Sequence, residues 1–279
     1  MILYIKLTVL IILTISNITY SMLEDYDSLS ECKEEWPSCE DQINVMCDSR
    51  RCRPPVNRDC RPMEMDDELR NHILKEHNRL RNFLASGEET RGGVVGASNM
   101  MVLNYDYDLE RSAACTATKC DMYRDRCRRT KRFERVGQNH HRAPTEQSQM
   151  QAANTWYLEI IRPALINYPA IFDDWKPFHT VSNFTQVVWA KTTHVGCGRS
   201  VSEEAYFLVC SYGPGGNRLS QPVYKKGEPA TQCPPKVKRS KKYPNLCGTA
   251  HDINVAVHLH PIQNIWLYIF FTFYSFLQF

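Results

Sequence analysis

Hydrophobic and polar positions alternate along the chain with two clear periods. Leu69, Ile73, His77, Leu80 and Leu84 recur at spacings of four, four, three and four, which is one face of a helix. Asp66 can cap that helix, Asp67 and Glu68 suit its positive end, and Gly87 can stop it. His77 therefore points at the core. From Thr145 to Ile161 a second helix is expected, with Met150, Ala153, Tyr157 and Ile160 on its buried side and Pro163 as its stop. Asn183 to Thr192 alternates instead, and is rich in β-branched and aromatic residues. It predicts a half-buried strand. Gly196-Cys197-Gly198 follows, then a second strand, Tyr206 to Tyr212, closed by the turn Gly213-Pro214-Gly215-Gly216-Asn217. The two read as a hairpin-like pair with a cysteine on each arm. Between the second helix and this pair, Tyr168 to His179 is a loop dense in aromatic residues. Its Phe172, Trp175 and Phe178 are spaced to suit a short helical turn.

The ends do not share these periods. Residues 1–21 carry Lys6, a short apolar run and the small residues Thr19 and Ser21, the layout of a secretory signal peptide; a membrane anchor would need a longer run. Residues 22–65 show little periodicity but hold Cys32, Cys39, Cys47, Cys52 and Cys60 among Pro54, Pro55 and Pro62. Such an extension needs crosslinks to hold it. Residues 66–220 form the expected folded domain, and 221–250 a basic, cysteine-containing tail. From 251 to 279 the chain becomes apolar. Gly248-Thr249-Ala250, a spacer and the run Ile262 to Phe279 give the layout of a GPI-attachment signal, with a C-terminal membrane helix or an unprocessed apolar tail as rivals.

Among 279 residues there are twelve cysteines and no C-x-x-C pair. This favours disulfides over zinc and an oxidising, extracellular setting. The net charge of +3 is too small to imply a nucleic-acid partner. The charge is uneven, however. One basic run holds Arg124, Arg126, Arg128, Arg129, Lys131, Arg132 and Arg135; another holds Lys236, Lys238, Arg239, Lys241 and Lys242. Contact with sulfated glycans or anionic headgroups stands against the plainer reading of a solvated loop and tail. The second run also invites trypsin-like or convertase cleavage.

Several segments resemble signature motifs of the CAP superfamily. Ser182-Asn183-Phe184-Thr185-Gln186-Val187-Val188-Trp189 resembles GHFTQVVW, with Ser182 and Asn183 in place of glycine and histidine. Val209-Cys210-Ser211-Tyr212-Gly213-Pro214-Gly215-Gly216-Asn217 resembles VCxYxPxGN. His77-Asn78-Arg79-Leu80-Arg81 resembles HNxxR, Met100 to Leu109 the lead-in to the second helix, Gly137-Gln138-Asn139 the GEN motif, and Trp156 to Glu159 a tryptophan-then-glutamate helix. The resemblance covers residues 66–217. It implies an α+β fold, the CAP α-β-α sandwich, with a small, mostly antiparallel sheet between helices and disulfide stabilisation. It also implies that Cys120 and Cys127 tie down the extension and that Cys197 pairs with Cys210. Cys115 would take the surplus cysteine of the extension, and Cys233 would pair with Cys247. The chain looks most like a secreted venom-allergen-like protein of the kind parasitic worms release.

In the family two histidines and two glutamates meet in a cleft that can bind a divalent metal. The matching positions here are His77, Gln138, Glu159 and Asn183. A metal-activated water needs two or three good ligands and a base, and amides supply neither. No catalytic residue, metal ligand or cofactor is therefore expected; His140, His141 or His179 could substitute only if folding brought them to the cleft. No G-x-S-x-G elbow occurs. Asn183-Phe184-Thr185 is also a glycosylation sequon, expected to go unused if Asn183 is held in the cleft. Sterol binding in the family is assigned to a loop before GHFTQ, so Tyr168, Phe172, Trp175 and Phe178 are the candidate ligand-binding residues, with Asp173 and Asp174 facing water. The expectation is a non-enzymatic extracellular protein that binds sterol or fatty acid and acts at a host or parasite surface, meeting membrane only through its C-terminal segment. The alternatives are a metal-dependent hydrolase using His77 and Glu159, and a module that binds surface proteins or glycans.

Overall fold

The computed structural model describes residues 32, 39, 42–47, 52, 59–163, 165, 172–177 and 179–253. They fall into two compact units, each assembled from separated stretches of chain. The first draws on the described residues within Met1–Met63, Tyr107–Gln149 and Gly196–Gly216; the second on those within Glu64–Asp106, Met150–Val195 and Asn217–Phe279.

The first unit is built on a sheet. Strands β1 (Cys60–Met63), β3 (Gly137–Ala143), β4 (His194–Ser202) and β5 (Tyr206–Gly213) lie in the order β1-β4-β5-β3. β1 runs antiparallel to β4, with Cys60 opposite Ser202, and β3 antiparallel to β5, with Gly137 opposite Tyr212 and Ala143 opposite Tyr206. Helix α2 (Tyr107–Ala117) packs on the sheet through Ala113 and Ala117, which meet Val209. Gly198 makes that approach possible: a Cβ there would lie 2.3 Å from the Ala114 backbone. Gly213 and Gly215 are required in the same way, the first by the Phe133 ring and the second by the Gly137 backbone. The extension is tied on by Cys39–Cys127, Cys52–Cys115 and Cys60–Cys120, and closed locally by Cys32–Cys47. It is also packed, because Val45 and Met46 are fully buried beside Cys115. Val45 N donates to Cys127 O at 2.9 Å, and Asn44 Nδ2 to Arg129 O at 2.8 Å.

The second unit is built on helix α1 (Asp67–Ser86). The Asp66 side chain accepts from Leu69 N, and Gly87 ends the helix in the left-handed region at φ 84°. Leu69, Ile73, His77, Leu80 and Leu84 are all buried, and each buried leucine contributes about 2 kcal/mol. The helix expected over Thr145 to Ile161 is shorter than its pattern suggested. Its α-helical part is α3 (Ala152–Tyr157), drawn out into 3-10 turns at Gln147–Gln151 and Leu158–Ile161. Ala153, Tyr157 and Ile160 are buried as expected, whereas Met150 is half-buried. β2 (Asn104–Tyr105) pairs in parallel with His194 and Val195.

One expectation is overturned. Asn183 to Thr192 is not a strand: it begins as helix α4 (Ser182–Val187) and continues as a turn. The first arm of the hairpin is β4, further along. Propensity favoured a strand, but side chains remote in sequence supply the ends of a short helix, and tertiary context wins.

Candidate functional site

Three of the four cleft positions lie in the second unit. His77 is wholly buried on α1, with Nδ1 2.8 Å from Ile73 O and its ring 6.1 Å from that of Trp156. Burial pushes its pKa down to about 4, so the imidazole is neutral at physiological pH. Asn78 holds Leu103 through a pair of bonds: Nδ2 donates to Leu103 O at 2.9 Å, and Leu103 N to Oδ1 at 2.8 Å. Arg81, one turn on and also wholly buried, donates to the carbonyls of Met101, Val187, Trp189 and Thr192 at 2.7–3.2 Å. These include carbonyls that the end of α4 leaves without helical partners. The guanidinium thus fixes the course of the chain after α4.

Glu159 fixes the other end. Its Oε2 accepts from Asn183 N at 3.0 Å and Phe184 N at 2.9 Å, and its Oε1 from Asn183 Nδ2 at 2.7 Å. The carboxylate satisfies the free amides at the start of α4. Burial raises its pKa, while the bonds from Phe184 and Asn183 oppose the rise. Asn217, the last residue of the VCxYxPxGN-like stretch, donates through Nδ2 to Ser182 O at 2.7 Å and accepts from Thr185 Oγ1 at 2.7 Å. The Nδ2 of Asn183, where a glycan would attach, is thus engaged by Glu159 in the folded chain.

Gln138, the fourth position, belongs to a different polar cluster, in the first unit. Its Nε2 donates to Thr116 Oγ1 at 3.0 Å, and its Oε1 accepts from Asp125 N at 3.3 Å and lies 3.0 Å from His140 Nε2. Thr116 Oγ1 and Lys119 Nζ both bond the buried Asp125 carboxylate, and Arg128 bonds the Asp125 carbonyl. Burial lowers the pKa of His140 to about 4 and also lowers that of half-buried His141. The first basic run is therefore more than a solvated loop, because Arg129 is buried and Arg128 half-buried. The side chain of His179 lies outside the described part. Among the described residues no group of three or more histidine, cysteine, aspartate or glutamate side chains is arranged to hold a metal ion.

The aromatic loop is only partly described; Tyr168 and Phe178 lie outside the described residues. Phe172 is 1% exposed and Trp175 7%. Phe172 packs against Phe184 and Tyr224, with centroids 6.4 and 5.2 Å apart, and Trp175 Nε1 donates to Thr185 Oγ1 at 3.3 Å. The expected ligand-facing role for these two rings does not match their place in the core. Asp173 and Asp174 face water as expected. The remaining disulfides are Cys197–Cys210, joining β4 to β5, and Cys233–Cys247 in the tail.

Residues 74–212 match the model of the cysteine-rich secretory protein family, CAP. Scoloptoxin SSD976 of Scolopendra dehaani is 33% identical over 189 residues, 66% of this chain and 86% of that one. Venom allergen 5.01 of Dolichovespula maculata is 32% identical over 230 residues, 78% of this chain and 96% of the relative. The chain belongs to the CAP family. Solved structures agree on the fold: BmVAL-1 aligns with TM-score 0.56 at 24% identity, over 68% of this chain and 97% of that one. NaASP2 with Zn2+ aligns with TM-score 0.53 at 24% identity, over 70% and 100%. The fold is thus the α+β CAP sandwich, and its six disulfides suit an oxidising, extracellular setting.

Arg81 and Asn217 lie within the HNxxR-like and VCxYxPxGN-like motifs, but those motifs alone assign them no structural role. The signal for Arg81 was present: it lies four residues after His77 on the apolar face. Asn217 acts through the approach of two segments distant in sequence, which no local pattern records.

Proposed function

We propose that this CAP protein is a non-enzymatic extracellular binding protein, venom-allergen-like in the sense of those parasitic worms release, acting at a host or parasite surface. The observation that carries this reading is the state of Glu159. Both carboxylate oxygens already accept hydrogen bonds from α4, so the one carboxylate left among the cleft positions serves as a helix cap rather than as a general base. Asn183 in turn offers an amide where a metal site would need an imidazole. In the alternative reading, a divalent-metal-dependent hydrolase, His77 and Glu159 would have to work without a second histidine.

For the ligand, sterol or fatty acid is the first class. The support is the aromatic density around α4; the cost is that a lipid at this loop must displace Phe172 and Trp175 from the core. Binding should therefore change tryptophan fluorescence. Surface proteins or sulfated glycans are the second class, favoured by the exposure of Lys236, Lys238, Arg239 and Lys241. We also propose attachment through a GPI anchor added near Gly248-Thr249-Ala250. The test uses secreted protein ending near Cys247, titrated with a fluorescent sterol and run on a heparin column. Saturable sterol binding with a tryptophan signal supports the lipid class, and salt-sensitive heparin retention supports the glycan class. Peptide hydrolysis that a chelator abolishes would overturn the non-enzymatic reading.

A further inference from the structure

The tail of the second unit holds Lys236-Val237-Lys238-Arg239-Ser240 inside the loop that the Cys233–Cys247 disulfide closes. Lys236, Lys238 and Arg239 are exposed, as are Lys241 and Lys242 just beyond. Lys242 is paired with Asp252, whereas Lys236 and Lys238 have no side-chain partner among the described residues. Cations at the first, third and fourth positions of K-x-K-R, ahead of a small residue, suit a protease whose substrate cleft is lined by carboxylates. Each cation would find an opposite charge there, and the arginine a planar fork partner.

The two limbs of this loop are held unequally. The limb after the basic run is anchored in the body of the unit: Leu246 and Cys247 are fully buried. Cys247 N donates to Met100 O at 2.8 Å, Val102 N to Cys247 O at 2.8 Å, and Asn245 N to Asn82 Oδ1 at 3.0 Å. Beyond it, His251 N donates to Asn104 Oδ1 at 2.7 Å. The basic limb lies outside this anchor. Around the Arg239–Ser240 bond it is joined by two backbone hydrogen bonds, Ser240 N to Leu246 O and Gly248 N to Lys238 O, both 2.8 Å. The Arg239 guanidinium adds a bond to Pro229 O. Ser240 itself is buried and its Oγ accepts from Tyr243 N at 3.2 Å, so cutting requires this limb to open locally while the anchored limb stays in place. The exposed Lys236, Lys238 and Arg239 are the part a protease meets first.

We propose that the Arg239–Ser240 peptide bond is a processing site for a convertase-type, basic-specific protease, and that cutting it gives a two-chain protein held together by Cys233–Cys247. One water is consumed: Arg239 gains a carboxylate, Ser240 gains a free α-amine, and nothing is oxidised or reduced. Cys233 remains on the first chain and Cys247 on the second. The segment after Ser240 is retained twice over, by the disulfide and by the buried Leu246–Cys247 anchor. The first basic run is a built-in control, since Arg129 is buried there and Cys127 is crosslinked to Cys39.

The test treats the folded, secreted full chain with a furin-type convertase, then measures intact mass with and without reduction and sequences the new N-terminus. The expected product is heavier by one water without reduction and separates on reduction into two chains, the smaller beginning at Ser240. Arg239→Gln abolishes the cut, Lys236→Ala slows it, and Lys241→Gln leaves it unchanged. Arg239 is exposed, and an unaltered thermal melt verifies that Arg239→Gln still folds. The proposal is overturned if folded protein resists under conditions that cut the reduced, unfolded chain at Arg239. It is equally overturned if cutting falls first within residues 124–135, or if Arg239→Gln is cut at the wild-type rate.

Discussion

The two units reach a fixed shape by different means. In the first, five of the six disulfides do the holding: Cys32–Cys47, Cys39–Cys127, Cys52–Cys115, Cys60–Cys120 and Cys197–Cys210. In the second, which has only Cys233–Cys247, buried polar side chains bind main chain instead. Arg81 holds carbonyls, Asn78 holds Leu103, and Glu159 and Asn217 hold the two sides of α4. A segment poor in hydrophobic periodicity, such as the extension, is best fixed through the unfolded state, by crosslinking. A short helix between loops is best fixed in the folded state, by meeting its free amides and carbonyls. Of the family's cleft positions, Glu159 and Asn183 fall under the second strategy here, which is why their chemistry reads as architecture.

Reduction should divide the units most sharply. The three crosslinks from the extension to residues 115–127 span separations of 60 to 88 residues. Chain entropy assigns each about 4 kcal/mol. Hydrogen exchange with and without reductant should show β1 and residues 107–135 losing protection while α1 and α4 keep theirs. Uniform loss across both units would break the comparison.

Next in size is Arg81. Arg81→Met should cost about 3–5 kcal/mol in urea unfolding, because several carbonyls lose a charged donor together. Arg81→Lys should recover only part of that, since an ammonium cannot span the same set. A full rescue by lysine would mean that charge matters here and geometry does not.

Acid should act through His77 and His140, one in each unit. Both have folded pKa values lowered by burial to about 4. The unfolded chain therefore takes up protons first, and the stability they contribute is present above pH 6.5 and lost as pH falls toward 4. The slope is about 1.4 kcal/mol per pH unit for each proton difference. Glu159, with its raised pKa, binds its proton more readily when folded and so opposes this loss at the acid end. His77→Gln and His140→Gln should each flatten the denaturation-versus-pH curve between those limits.

The smallest effect is the Asp66 cap. Asp66→Ala should cost about 1 kcal/mol, with exchange rising in the first turn of α1 alone.

Much of this was legible in the sequence, and the gaps have a physical cause. The α1 face, its Asp66 cap and its Gly87 stop can all be read because each depends on neighbours within one or two turns. The strand Tyr206 to Tyr212 is legible for the same reason. Asn183 to Thr192 reads as a strand from sequence because its β-branched residues outvote a helix whose ends are made by Glu159, Asn217 and Arg81, all distant in sequence. The aromatic loop showed rings at suggestive spacing, but spacing does not record which face is covered. Trp175 and Phe172 turned inward because Thr185 and Tyr224 were there to meet them.

The most direct test of the central claim is Glu159→Ala, measured for unfolding free energy and for chelator-sensitive peptide hydrolysis beside the wild type. The expected result is a loss of about 2 kcal/mol, from three donors left without their acceptor, and no such hydrolysis in either protein. Metal-dependent hydrolysis by the wild type, abolished in a variant of unchanged stability, would contradict it.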